Sequence, residues 1–113
     1  MFFFRKRFSE RAGKAYWRWF QENEQSIIAA IADKSNETKE QSLDIIWIID
    51  RHYAPLFPYL PNSEIEFQFG CNGDLNEMFL YYKDHDDLKR DIERLVSLMP
   101  QSLRDHWTVY IEE

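Results

Sequence analysis

The chain has 113 residues, 44% of them apolar and 17% aromatic, with three Gly, four Pro and a formal net charge of −6. That length bounds one domain, residues 1–113, large enough to bury a core without metals or disulfides, and the composition argues against a disordered or repeat-built chain. Cys71 is the one cysteine, which excludes an internal disulfide and favours a reducing, cytoplasmic setting.

The opening MFFFRKRFSER sets three apolar residues before its charges. That is the reverse of a secretory signal and too short to cross a bilayer, so no stable membrane insertion is expected. Charge is divided along the chain: residues 1–18 carry six Lys/Arg and Glu10, whereas the remainder carries eight Lys/Arg against nineteen acids. A negative body repels phosphate and attracts basic partners, so nucleic acid is not expected, and the basic N-terminal segment reads as a solvated surface.

Apolar periodicity predicts a first helix from Ser9 or Glu10 to Ala32, with Ser9 placed to cap it and Asp33-Lys34-Ser35-Asn36 closing it. At about 100° per residue, Trp17, Phe20, Ile27, Ile28 and Ile31 fall on one arc, and Glu24 projects near its middle. A carboxylate on a buried stripe needs donors. Trp17, Trp47, Tyr53 and Trp107 are the candidates to supply them.

A second helix, capped by Ser35 or Asn36, is expected to run to Tyr53 and to stop at Pro55. Leu43, Ile45, Ile46, Trp47, Ile49 and Tyr53 occupy most of its circumference, which predicts the central helix. Asp50 falls between Leu43, Ile46, Trp47 and Tyr53, a second acid on an apolar arc. The proline-rich PLFPYLPNS of residues 55–63 predicts a rigid loop. Ile65, Phe67 and Phe69 then alternate with Glu66 and Gln68, Asn72-Gly73 supplies a turn, and Leu75 to Tyr82 returns as the second strand of a hairpin. Asp84 is placed to cap a third helix with Leu88, Ile92, Leu95 and Val96 on its apolar stripe, ending before Pro100. Trp107, Val109 and Ile111 alternate as a final strand. The order ααββαβ predicts an α+β domain with helices on one face of a three-stranded sheet.

Trp17, Trp19, Phe20, Asn23 and Glu24 form the pattern Trp-x-Trp-Phe-x-x-Asn-Glu. In this the chain resembles a family of small, uncharacterised bacterial proteins that carry the pattern on their N-terminal helix. The likeness extends to Leu95, Val96, Pro100 and Trp107, matching a Leu-Val pair, a proline and a tryptophan-led strand near the end. The resemblance implies an immunity-like or accessory role beside bacterial toxins, and it transfers no catalytic residue.

Two acids facing one core would push one pKa upward, as in general acid/base catalysis. Glu24 and Asp50 are therefore the catalytic candidates of an alternative reading as a small acid/base enzyme or hydrolase, with His52 as a further proton carrier or metal ligand. The structural reading makes the same carboxylates satisfied acceptors that orient the core. Asp84-His85-Asp86-Asp87 has metal-binding residue types, but neighbours on a helix point in different directions and the helix dipole alone accounts for acids in a first turn. No metal is assigned. His52, His85 and His106 lack a Ser or Cys partner at a recognisable spacing, and no GxGxxG, P-loop, HExxH or CxxC pattern occurs. No cofactor is expected.

The leading expectation is a non-enzymatic protein-binding domain whose acidic face meets a basic protein, such as a toxin. Glu64, Glu66, Asp74, Glu77, Asp84, Asp86 and Asp87 are its candidate contacts, because the hairpin and the start of the third helix can adjoin. Self-association through an exposed strand or the MFFF segment is compatible with this reading and with the enzymatic one.

Overall fold

The computed structural model describes residues 8–32, 47–60, 65–72 and 75–113, with the side chains of residues 31, 32 and 72 also left aside. The expectations for residues 1–7, the closure at 33–36, Glu37 to Ile46, Glu64, Gly73 and Asp74 therefore lie outside the described residues, as do those for the Ile31 and Asn72 side chains.

Helix α1 spans Glu10–Ala32. The Ala12 amide donates to Ser9 Oγ at 3.1 Å, so Ser9 is the N-cap that the sequence predicts. Trp17, Phe20 and Ile27 are buried on its inner stripe, with Ile28 packed at the margin. Gly13 lies where α1 crosses the end of a later helix, and a Cβ there would come within 2.7 Å of Leu98 Cδ1. Its missing side chain allows the close approach.

Residues 47–53 are helical and form the described part of α2. Ile49 and Tyr53 are fully buried, but Trp47 is 62% exposed and Ile48 is 40% exposed. This corrects the expectation that Trp47 belongs to the core. Its indole instead lies under the Arg51 guanidinium, 4.6 Å from the ring centroid, where a cation can sit on an aromatic face in water. After α2 the chain turns through the Pro-rich segment, which contributes Leu56, Phe57 and Leu60 to the core.

Strands β1 (Glu66–Asn72) and β2 (Leu75–Tyr81) form the antiparallel hairpin. Helix α3 (Asp86–Ser97) follows, then a single turn α4 (Gln101–Arg104), then β3 (Trp107–Glu112). The strand order is β1-β2-β3, and β3 runs parallel to β2, so the sheet is mixed. A parallel return needs a crossover connection, which α3 and α4 provide. The architecture is the α+β arrangement that the order of elements predicts.

Asp84 does not cap α3. The N-cap is His85, without a side-chain bond, while Lys83 and Asp84 both have positive φ, 43° and 61°. Asp is among the residues that enter the left-handed region with least strain, so Asp84 serves the reversal from β2 into α3 rather than the cap. At the other end of α3 the Arg104 side chain donates to Met99 O and Val96 O at 2.9 and 2.8 Å, satisfying carbonyls where the helix stops.

Alternation divides the sheet into two faces. Phe67, Phe69, Met78, Leu80, Trp107, Val109 and Ile111 share the inner face and pack into the helical core. Glu66, Gln68, Gly70, Leu75, Glu77, Phe79, Tyr81, Thr108, Tyr110 and Glu112 share the other face, and none of these is buried.

The core is stitched by aromatic donors. Trp17 Nε1 donates to Leu95 O at 2.7 Å, tying α1 to α3. Tyr16 Oη donates to Tyr53 Oη at 2.8 Å, and Tyr53 Oη in turn faces Met78 Sδ at 3.8 Å. Burial raises the pKa of both phenols, so each stays neutral and keeps its donor.

Candidate functional site

Glu24 lies on the inner side of α1, its side chain 15% exposed. Trp107 Nε1 donates to Glu24 Oε2 at 2.9 Å, and His106 Nδ1 lies 3.4 Å from the same oxygen. Among the four donors considered from the sequence, Trp107 is the one that reaches it. Trp17 and Tyr53 are committed to Leu95 and Met78, and Trp47 is at the surface. The residue that interrupts the apolar stripe is thus the acceptor that anchors the first residue of β3 to α1.

Asp50 has a different setting. It lines an open groove of about 430 Å³ together with Trp47, Ile65, Glu66, Phe67, Gln68 and Tyr81, and Glu24 is not part of that lining. His52 is stacked against Trp19, with ring centroids 3.8 Å apart. Desolvation lowers its pKa, which favours the neutral imidazole. The three residues of the acid/base reading are therefore distributed over the junction with β3, the edge of β1 and the contact with Trp19. Among the described residues no three His, Cys, Asp or Glu side chains gather as metal ligands.

The acidic candidates fall into two groups. Glu66 and Glu77 project from the outer face of the sheet. Glu66 is paired with Lys83, while interaction with the Glu77 carboxylate raises the Tyr110 pKa. Asp84, Asp86 and Asp87 lie at the turn and first helical turn of α3, all exposed. Interaction with the Asp84 carboxyl raises the Glu113 pKa.

Sequence reasoning missed three members of the outer face. Glu112 lies on it beside Tyr81, and Phe79 and Tyr110 stack across β2 and β3 with centroids 4.9 Å apart and planes 14° from parallel. Their signal was the complementary phase of the final strand: if Trp107, Val109 and Ile111 face the core, Thr108, Tyr110 and Glu112 must face away. The same parity places Gly70 opposite Glu77 on the outer face.

The assembled surface has stacked aromatics at its centre and three carboxylates, Glu66, Glu77 and Glu112, around them. No Lys or Arg projects from this face among the described strand residues. A second surface, on the solvent side of α1, is a shallow groove lined by Glu10, Arg11, Lys14, Ala15 and Arg18. The two surfaces have opposite charge. No protein-family model, curated protein or solved structure matches this chain.

Proposed function

We propose that this is a non-enzymatic protein-binding domain that presents the acidic outer face of its sheet to a basic partner. The observation that carries the proposal is the grouping of Glu66, Glu77 and Glu112 around the Phe79 and Tyr110 pair on the face of the sheet opposite Met78, Leu80 and Trp107, where none of the described strand residues is buried. Aromatic rings supply contact area at small entropic cost, and a surrounding field of one sign steers a partner of the other sign and fixes its orientation. The net charge of −6 acts in the same direction at long range. An immunity-like or accessory role beside a basic toxin, in a reducing cytoplasm, is the biological form of this reading.

The test begins with cross-linking in the native cell to identify the bound protein, followed by titration of the purified pair at low and high salt. A basic partner is expected, with affinity that falls as salt rises. Glu66→Gln, Glu77→Gln and Glu112→Gln combined should weaken it further. A neutral or acidic partner, or a basic one whose affinity ignores both salt and the triple substitution, would refute the electrostatic reading.

A further inference from the structure

The two charged surfaces lie on opposite sides of the fold. Trp17, Phe20 and Ile27 of α1 pack into the core that the inner face of the sheet shares. At about 100° per residue, the stripe of Arg11, Lys14, Ala15 and Arg18 is turned roughly 150° away from them, and all four of its residues are exposed. The stripe therefore meets solvent on the helical side, whereas Glu77, Phe79, Tyr110 and Glu112 meet it on the sheet side. Their free charges match in number. Among the described residues Lys14 is bridged to Glu10 and Glu66 to Lys83, while Arg11 and Arg18 on one side and Glu77 and Glu112 on the other make no ion pair. They also match in spacing. Arg11 and Arg18 are about 10 Å apart along the helix axis. Glu77 is in register with Thr108, on the strand that carries Glu112, and this separates the two carboxylate positions by about 14 Å. Two splayed arginine side chains cover the difference. Between the cations Ala15 presents a methyl group, and between the carboxylates stands the stacked pair of Phe79 and Tyr110, with Tyr110 exposed.

We infer that the basic stripe of α1 in one copy docks on the acidic outer face of the sheet in another. The inference rests on the reading of the outer face as a surface for cations, and it names a second copy of this chain as an occupant. Docked in this way, the small Ala15 admits the aromatic pair, and a guanidinium on either side can lie against a ring and bond a carboxylate. The contact is heterologous. Each copy uses one of its surfaces and leaves the other open, so association extends head to tail beyond a pair instead of closing as a two-fold dimer. The net charge of −6 on every copy opposes approach at long range. At about 0.1 M salt, however, exposed charges more than about 10 Å apart are largely screened, and pairs in contact are less so. Exposed ion pairs are individually weak. Self-association is therefore a low-affinity state, which a more strongly basic partner displaces from the outer face.

Sedimentation velocity of the full chain, at about 0.1 M salt and rising protein concentration, tests the docking. The mean sedimentation coefficient should climb past that of a dimer and return to the monomer value at about 1 M salt. Arg11→Gln combined with Arg18→Gln should give a monomer, and so should Glu77→Gln combined with Glu112→Gln, each with the circular dichroism of the wild type. Mixed in equal amounts, the two variants should form a dimer that grows no further, because the first keeps the acidic face and the second keeps the basic stripe. A wild-type chain that stays monomeric, or association that survives either pair of substitutions, would overturn head-to-tail docking. A short oligolysine peptide titrated into both variants tests the underlying reading separately. Binding by the arginine-substituted variant that is lost in the glutamate-substituted one upholds the acidic face as a cation surface, whatever the state of self-association. Equal binding by both variants, or by neither, overturns that reading and the docking with it.

Discussion

Trp107 Nε1 donates to Glu24 Oε2 at 2.9 Å across 83 positions of sequence, joining α1 to the first residue of the last strand. The indole is buried and the carboxylate keeps a narrow exposure to water. That geometry seats a carboxyl group in an aromatic layer: its oxygen is paired with an indole donor and the side chain keeps a small exposed area. It also ties the first residue of β3 to α1.

Replacing Glu24 by alanine leaves the Trp107 donor without its partner and is expected to cost about 1–3 kcal/mol. Glu24→Gln keeps an amide oxygen for the indole and should cost less. Urea unfolding distinguishes them: the midpoint should fall in the order wild type, Gln variant, Ala variant, with an unchanged slope. Coincident wild-type and alanine midpoints would mean that the bond contributes nothing to stability.

The Tyr16 and Tyr53 pair predicts an asymmetry. Tyr16→Phe removes a donor and leaves Tyr53 facing Met78, a loss of about 1 kcal/mol. Tyr53→Phe strands the Tyr16 hydroxyl in the core and should cost more, up to about 3 kcal/mol. Thermal unfolding of the two single variants checks the order. Because burial holds both phenols above their ordinary pKa, the unfolded chain releases protons first as pH rises. Stability should therefore fall as pH climbs past about 10.

His52 governs part of the acid side. Its pKa is lowered by desolvation, so below the ordinary histidine value the unfolded chain takes up a proton that the folded chain resists. This contribution to stability is present above about pH 6.5 and is lost as pH falls through the folded pKa. In an NMR titration His52 should titrate below the ordinary histidine value, and Trp19→Leu, which removes the ring stacked on it, should move the midpoint upward. A midpoint that does not respond to the Trp19 substitution would separate the shift from that contact.

The parts of the structure that follow from local chemistry were legible in the sequence. Ser9 caps α1, the alternation from Ile65 to Phe69 gives the hairpin strand, and the stripe of Leu88, Ile92 and Leu95 gives α3. Trp47 was misplaced because periodicity identifies an apolar residue but not whether a cation already covers it at the surface. Asp84 resembles a cap in sequence, yet the reversal from β2 into α3 places positive φ at Lys83 and Asp84 and shifts the cap to His85. The turn α4 went unread because it is four residues long, too short for a periodic signal. Glu24 was recognised as an acceptor from its phase on α1, whereas the choice of Trp107 among four donors depends on tertiary contact. The outer face required pairing of three strands: Phe79 and Tyr110 meet only because β3 lies parallel beside β2.

The most direct test of the binding proposal is to map the partner's footprint by amide chemical shifts on the labelled full chain. The proposal predicts shifts concentrated at Gln68, Gly70, Glu77, Phe79 and Tyr110 on the outer face of the sheet, lost when Glu66, Glu77 and Glu112 are all changed to Gln. Shifts concentrated instead at Arg11, Lys14 and Arg18 on the basic side of α1, and unaffected by the triple substitution, would contradict it.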